Sequence, residues 1–221
     1  MRKIPFSKVI CDGNELQYVR EVIESGWLTT AGKCVEFEKR FSEKVGGKYA
    51  CAVNSATAAL HIAAEALGIG PGDQVFVPTM TFTASAEIIR YLGADPVFLD
   101  VEYGTCLITP AILEAAIRQH PAAKALVLVH FGGQAAEMTG QKTAVSGQAG
   151  ILEICRKHGL KLIEDAAHAF PSRLARIKFD FFSGDQQKPV EQSAKQPAEQ
   201  SAEEPAKPAF EAIVKLAPQP A

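Results

Sequence analysis

The residues best placed to do chemistry together lie in the segment LKLIEDAAHA, residues 160–169. Its apolar run, Leu160, Leu162 and Ile163, is short enough for a buried strand. The run ends in two carboxylates, Glu164 and Asp165, and after two alanines comes His168. In open α/β sheets, ligands sit just beyond the carboxyl ends of the strands, which is where Asp165 and His168 would project. Ionisable groups at the end of a buried strand need a partner, because unpaired charge out of water is expensive. A ligand can be that partner. So can backbone N–H groups for Asp165, and any polar contact for His168.

Two other places carry complementary chemistry. Asn54, Ser55, Ala56 and Thr57 stand between a strand candidate and a helix. Open N–H groups and small hydroxyls at a helix start suit a phosphate, although Ser55 can equally serve only as a helix cap. In TMTFTASA, Phe82 follows a strand among small residues, which leave room for a flat ligand to stack on its ring. The alternative for Phe82 is a core position. A phosphate-binding turn, a stacking ring and a strand-end aspartate are together three requirements of pyridoxal phosphate (PLP). The phosphate needs donors, the ring needs a cover, and the pyridine nitrogen needs a carboxylate that keeps it protonated so the ring can act as an electron sink. GIGPGD reads as a turn, since it precedes its strand and lacks the glycine order of a dinucleotide site. No thiol has a base beside it in sequence, so a cysteine nucleophile is unsupported.

The elements that must position these groups alternate along the chain. Asn14 can cap a helix in which Leu16, Val19 and Ile23 share a face, and Gly26 closes it. A second helix carries Phe37, Phe41 and Val45 and stops at Gly46. Residues 49–53 form a strand candidate, and the helix after Ser55 ends at Gly68. A strand over 74–77, broken by Pro78, precedes a helix over 82–92 and a strand over 96–101. Thr109 followed by Pro110 is a strong helix start. KALVLVHF is the most apolar strand, residues 132–147 read as a long loop, and a helix over 151–158 leads into LKLIEDAAHA. Strands alternating with helices imply a parallel sheet with right-handed crossovers.

After Arg173 the character changes. A tandem octapeptide, EQSAKQPA and EQSAEEPA over residues 191–206, has no hydrophobic face and cannot offset the entropy of ordering. This predicts a domain over 1–173 and a largely disordered tail over 174–221, with at most one or two helical turns in FEAIVKL. A net charge of −2 gives no pull toward nucleic acid or an anionic membrane. Residues 1–10 lack the apolar core of a secretory signal, and no stretch approaches the roughly 20 apolar residues of a membrane span. Five cysteines without CxxC pairs suit reduced thiols, with no zinc site. The expectation is a soluble, cytoplasmic protein.

The sequence resembles the DegT/DnrJ/EryC1/StrS family of sugar aminotransferases, which have the aspartate aminotransferase (fold type I) architecture. The resemblance is carried by SGWLTT, NSATAALHIAAEALGIGPGDQVFVPTMTFTASA, GADPVFLDV and ICRKHGLKLIEDAAHA, in the family's order, over residues 4 to about 170. It implies an α/β fold, part of a type I large domain with an open, mostly parallel sheet flanked by helices. By the same resemblance, Ala56 and Thr57 bind the cofactor phosphate with Ser55 supporting the turn. Phe82 stacks on the pyridine ring, Asp165 pairs with its nitrogen, and His168 stands near its ring hydroxyl. The family moves an amino group, usually from glutamate, to a keto sugar carried on a nucleotide. Its members serve polysaccharide and antibiotic-sugar synthesis and work as homodimers.

Departures from the family are also legible. Residues 141–148 look like an insertion. After His168 there is no glycine-rich segment leading to the Ser-Phe-x-x-x-Lys stretch whose lysine forms the Schiff base, and the small domain is missing. Ser183 and Lys188 have the family's spacing, but Lys188 opens the solvated tail, without the desolvated pocket that activates such a lysine. The expected chain is therefore an incomplete domain with exposed sheet edges, which does not turn over alone. A non-catalytic or regulatory protein retaining the fold is the alternative. A sugar dehydratase, with histidine replacing the lysine, ranks last because no histidine follows His168.

Overall fold

The structure, a computed structural model, describes residues 10–140 and 149–170, together with the backbone of 212–214. Six helices and five strands follow in the order α1 (Glu15–Ser25), α2 (Gly32–Val45), α3 (Ala56–Ala66), β1 (Gln74–Pro78), α4 (Ala84–Tyr91), β2 (Asp95–Leu99), α5 (Pro110–Gln119), β3 (Ala125–Val129), α6 (Ile151–His158), β4 (Lys161–Asp165) and β5 (Ala212–Val214). The strands form one parallel sheet in the order β2-β1-β3-β4-β5. From β1 the chain moves outward to β2, and from β3 it moves the other way to β4. The crevice at that reversal, above the carboxyl ends of β1 and β3, is where open α/β sheets take their ligands.

Strand alternation sorts the core into two layers. Val75, Val77, Val127 and Ile163 face α3 and α4, where they meet Leu60, Ile88 and Ile89. Phe76, Leu126, Leu128 and Leu162 face the other way, onto Leu113 and Ile117 of α5 and Ile151 and Ile154 of α6. Each large side chain fully buried in these layers contributes about 1.5–3 kcal/mol. β3 is buried along its whole length, so KALVLVHF reads as a continuous apolar run rather than an alternation. Pro96 is tolerated in β2 because, among the described residues, that strand pairs on one side only.

Several sequence expectations need correction. Residues 49–53 are not a strand: among the described residues no strand pairs with them, and the Ala52 N–H is taken by the Glu38 carboxylate at 2.8 Å. The Asn14 side chain makes no cap bond at α1; its backbone carbonyl accepts from Tyr18 instead. Thr109 does cap α5, accepting from the Ile112 N–H at 3.3 Å. Within FEAIVKL, residues 212–214 are strand, not helix. They pair in parallel with β4, Val214 opposite Asp165, so that edge of β4 is covered rather than exposed. The proposed domain boundary at 173/174, the insertion at 141–148, the remainder of the expected disordered tail, and Lys188 lie outside the described residues. Among the described residues, no helix is long and apolar enough to cross a membrane. Helices α1 and α2 bury no residue, and Leu16, Val19 and Ile23 stay exposed.

Candidate functional site

The start of α3 is built by Ser55. Its backbone is extended, and its side chain accepts the Ala58 N–H at 3.1 Å while its carbonyl accepts from Ala59. This cap leaves the N–H groups of Ala56 and Thr57 without a partner among the described residues, at the positive end of an 11-residue helix. Capping and anion binding are therefore compatible here: Ser55 satisfies one amide and two stay available.

Phe82 lies in the connection between β1 and α4 and is 75% exposed, so the core alternative is excluded. Three residues later Ser85 is fully buried in the first turn of α4. Its hydroxyl stands 2.7 Å from that of Thr81 and 3.4 Å from Asp165 Oδ2.

Asp165 closes β4 and is only 8% exposed. Its Oδ1 accepts the Ala167 N–H at 3.1 Å, and its carbonyl accepts the His130 N–H at 3.0 Å. Among the described residues the carboxylate thus has one donor for each oxygen, with lone pairs left over. Backbone satisfies part of it, as one sequence reading allowed, and the rest is open.

His168 is in the turn that follows, exposed, with its ring edge-on to Phe131 at 5.5 Å. Its Nδ1 accepts the Gly132 N–H at 3.2 Å, which in the neutral ring leaves the proton on Nε2 as a donor. The loop that makes this contact depends on two glycines. Gly132 and Gly133 have φ of 63° and 85°, and a Cβ at Gly133 would lie 3.2 Å from the His168 carbonyl oxygen.

Sequence reasoning missed the buried pair that holds this loop. His130 Nδ1 accepts the Ala136 N–H at 3.1 Å, so its Nε2–H donates to Glu164 Oε2, also at 3.1 Å. The pair ties β3 to β4 one step behind Asp165. The available signal was a lone polar residue closing an otherwise apolar strand. Ser85 and Thr81 were equally hidden, because they read only as small neighbours of Phe82.

Asp165 and His168 are thus brought together at the end of β4, and α4 joins them through Ser85. Ser55, Ala56 and Thr57 make no bond to these groups; the helix they start, α3, contributes Leu60 to the core layer shared with α4 and Ile163 of β4. Two open amides, an exposed ring, a buried carboxylate and an Nε2–H donor are a donor set that fits PLP: phosphate, ring face, ring nitrogen and ring oxygen each find a chemically matched group. Fold and site together define an α/β domain of the kind that holds a ligand at the carboxyl ends of parallel strands.

Within that class the chain belongs to the DegT/DnrJ/EryC1/StrS aminotransferase family, whose description matches residues 10–178. It is 46% identical over 166 residues to the spore coat polysaccharide biosynthesis protein SpsC of Bacillus subtilis (strain 168), covering 75% of this chain and 40% of that protein. Among solved structures it is similar to an aminotransferase from Psychrobacter cryohalolentis, at 36% identity and a TM-score of 0.65, over 76% of this chain and 40% of that one. It is also similar to DesV of S. venezuelae, at 32% identity and a TM-score of 0.59, over 71% of this chain and 41% of that one. The PLP-form of Spr1654 from Streptococcus pneumoniae matches at 29% identity with a TM-score of 0.62, over 77% and 44% of the two chains. The chain therefore spans about 40% of the length of the curated relative it matches. The type I fold expected from the sequence is the one these neighbours share.

Proposed function

We propose that this chain is the cofactor-binding part of a PLP-dependent sugar aminotransferase in polysaccharide synthesis. Its substrates in this reading are a nucleotide-linked keto sugar and an amino donor, with glutamate as the donor, in a cytoplasmic homodimer. The observation that carries the reading is the buried Asp165 carboxylate, held by Ser85 and Ala167 at the carboxyl end of β4, on the same end of the sheet as Phe82 and His168. When bound, PLP supplies an electron sink for labilising a bond next to the amino group. The chain's own residues bind and orient. The amides of Ala56 and Thr57, supported by Ser55, take the phosphate; Phe82 covers the ring; Asp165 holds the ring nitrogen protonated; His168 donates Nε2–H to the ring oxygen.

The chain on its own binds without turning over. Lys124 precedes β3 and Lys161 opens β4, so both stand at the opposite end of the sheet from Asp165. Lys124 is also engaged with Asp73 at 2.7 Å. A lysine activated by desolvation at the site is what turnover needs, and Lys188 opens a stretch of sequence in which Val190 is the only large apolar side chain as far as Ala209. Incubation with PLP, borohydride reduction and peptide mapping tests this reading. Saturable binding without a single modified lysine is expected. A stoichiometric adduct on Lys188, lost together with amino transfer in Lys188→Ala, would overturn the non-turnover part.

A further inference from the structure

The hydroxyls behind Asp165 have a proton count that restricts what they can do. Ser85 and Thr81 own one hydroxyl proton each, and an ionised carboxylate can only accept. With Asp165 charged, the Ser85 proton therefore points to Asp165 Oδ2, across 3.4 Å, and Thr81 must donate to Ser85, across 2.7 Å. With Asp165 neutral, Ser85 can turn its proton to Thr81, and the chain of hydroxyls is free to reverse. Its direction depends on one charge.

The position of Ser85 argues against a packing role alone. It is fully buried beside Ala84, Ile88 and Ile89, where an alanine would pack without cost, and a buried hydroxyl is unfavourable unless bonded. Its Asp165 contact is long for a hydroxyl–carboxylate bond, as such contacts often are before the charged ligand arrives.

We infer that Ser85 and Thr81 are positioning residues that aim the Asp165 carboxylate, so that a proton shared between Asp165 and a ring nitrogen stays on the nitrogen. Hydrogen bonds to a charged form favour that form, and a chain of two donors polarises the bond that reaches it. The inference rests on the cofactor reading above and assigns two residues to it that touch no cofactor themselves.

The test uses the full chain loaded with PLP labelled with ¹⁵N in the ring, followed by ¹⁵N NMR and by absorbance titration. The wild-type chain gives a protonated ring nitrogen. Ser85→Ala moves the signal toward the unprotonated position and weakens PLP binding about tenfold, equivalent to about 1.4 kcal/mol. Thr81→Val, which keeps side-chain shape and loses the outer donor, moves both in the same direction, with a loss of about threefold in affinity. Ser85→Thr keeps a hydroxyl and restores both readouts. A Ser85→Ala chain with the wild-type nitrogen signal, or a folded Ser85→Thr chain whose signal and affinity shift as far as those expected of Ser85→Ala, overturns the inference. If Ser85→Ala fails to fold by far-UV circular dichroism, the half-buried Thr81→Val decides by the same two readouts. A wild-type chain that takes up no PLP refutes the cofactor reading and this inference with it, whereas normal wild-type binding with an unmoved Ser85→Ala signal refutes the inference alone.

Discussion

Replacing His130 by leucine isolates the element that holds the site's rear wall. Leucine is close in volume, so the change removes hydrogen bonds more than packing. Two groups lose their partner: the Ala136 N–H, bonded to Nδ1 at 3.1 Å, and the Glu164 carboxylate, bonded to Nε2 at 3.1 Å. Leaving a buried polar group unsatisfied costs about 1–3 kcal/mol each. The Glu164 side chain is 18% exposed, so water recovers part of its share, whereas Ala136 is 1% exposed and its N–H has no such relief. The expected loss is about 3 kcal/mol in total, not the upper bound of the two. At about 2–4 °C per kcal/mol for a chain of this size, Tm falls by about 6–12 °C. Urea unfolding followed by far-UV circular dichroism measures it, with Glu164→Gln, which keeps an acceptor, as a control costing about 1 kcal/mol. A His130→Leu loss under about 1 kcal/mol would refute the reasoning, because the two orphaned groups would then have found other partners.

Two more outcomes follow from the same geometry. Phe82→Ala removes a ring that is 75% exposed, so stability changes by less than about 0.5 kcal/mol, while PLP affinity falls about tenfold through lost stacking; thermal melts and absorbance titration separate the two. Asp73 supplies an acid-side dependence. The Lys124 ammonium, and after it the Gly70 N–H, hold its carboxyl below the ordinary value of 3.8. Its folded pKa is thus depressed relative to the unfolded chain, so its contribution is complete above the ordinary carboxylate range and disappears as pH falls through the folded value. The stability gap between wild type and Asp73→Asn, measured by urea unfolding, should narrow as the pH is lowered through the ordinary carboxylate range and toward the depressed folded value; a gap independent of pH would contradict the assignment.

The sequence disclosed local signals well and non-local ones poorly. Thr109 with Pro110 marked the start of α5, because cap and first turn are both short-range devices. The apolar runs of β3 and β4 were legible because both strands are buried. Residues 49–53 carried a strand pattern, yet a strand exists only if another chain segment pairs with it, and none of the described residues does. The converse holds for residues 212–214, three residues whose pairing with β4 is set by a neighbour about fifty positions earlier. At the site, Asp165 and His168 were visible as ionisable side chains at a strand end, and Phe82 as an aromatic among small residues. Ser85, Thr81 and His130 were not, since their roles come from partners 80 and 34 residues distant, or from a hydroxyl that reads as filler.

In the proposed reading, this sheet end holds PLP through Asp165. Absorbance titration of the wild-type and Asp165→Asn chains with PLP tests it most directly, because asparagine keeps the shape and an acceptor for Ala167 but not the charge. Breaking one side of a buried charge pair costs about 3–5 kcal/mol, so the variant should bind at least about a hundredfold more weakly than a saturable wild type, with its fold intact by circular dichroism. Equal affinity in the two chains, or no saturable binding by the wild type, would contradict the account.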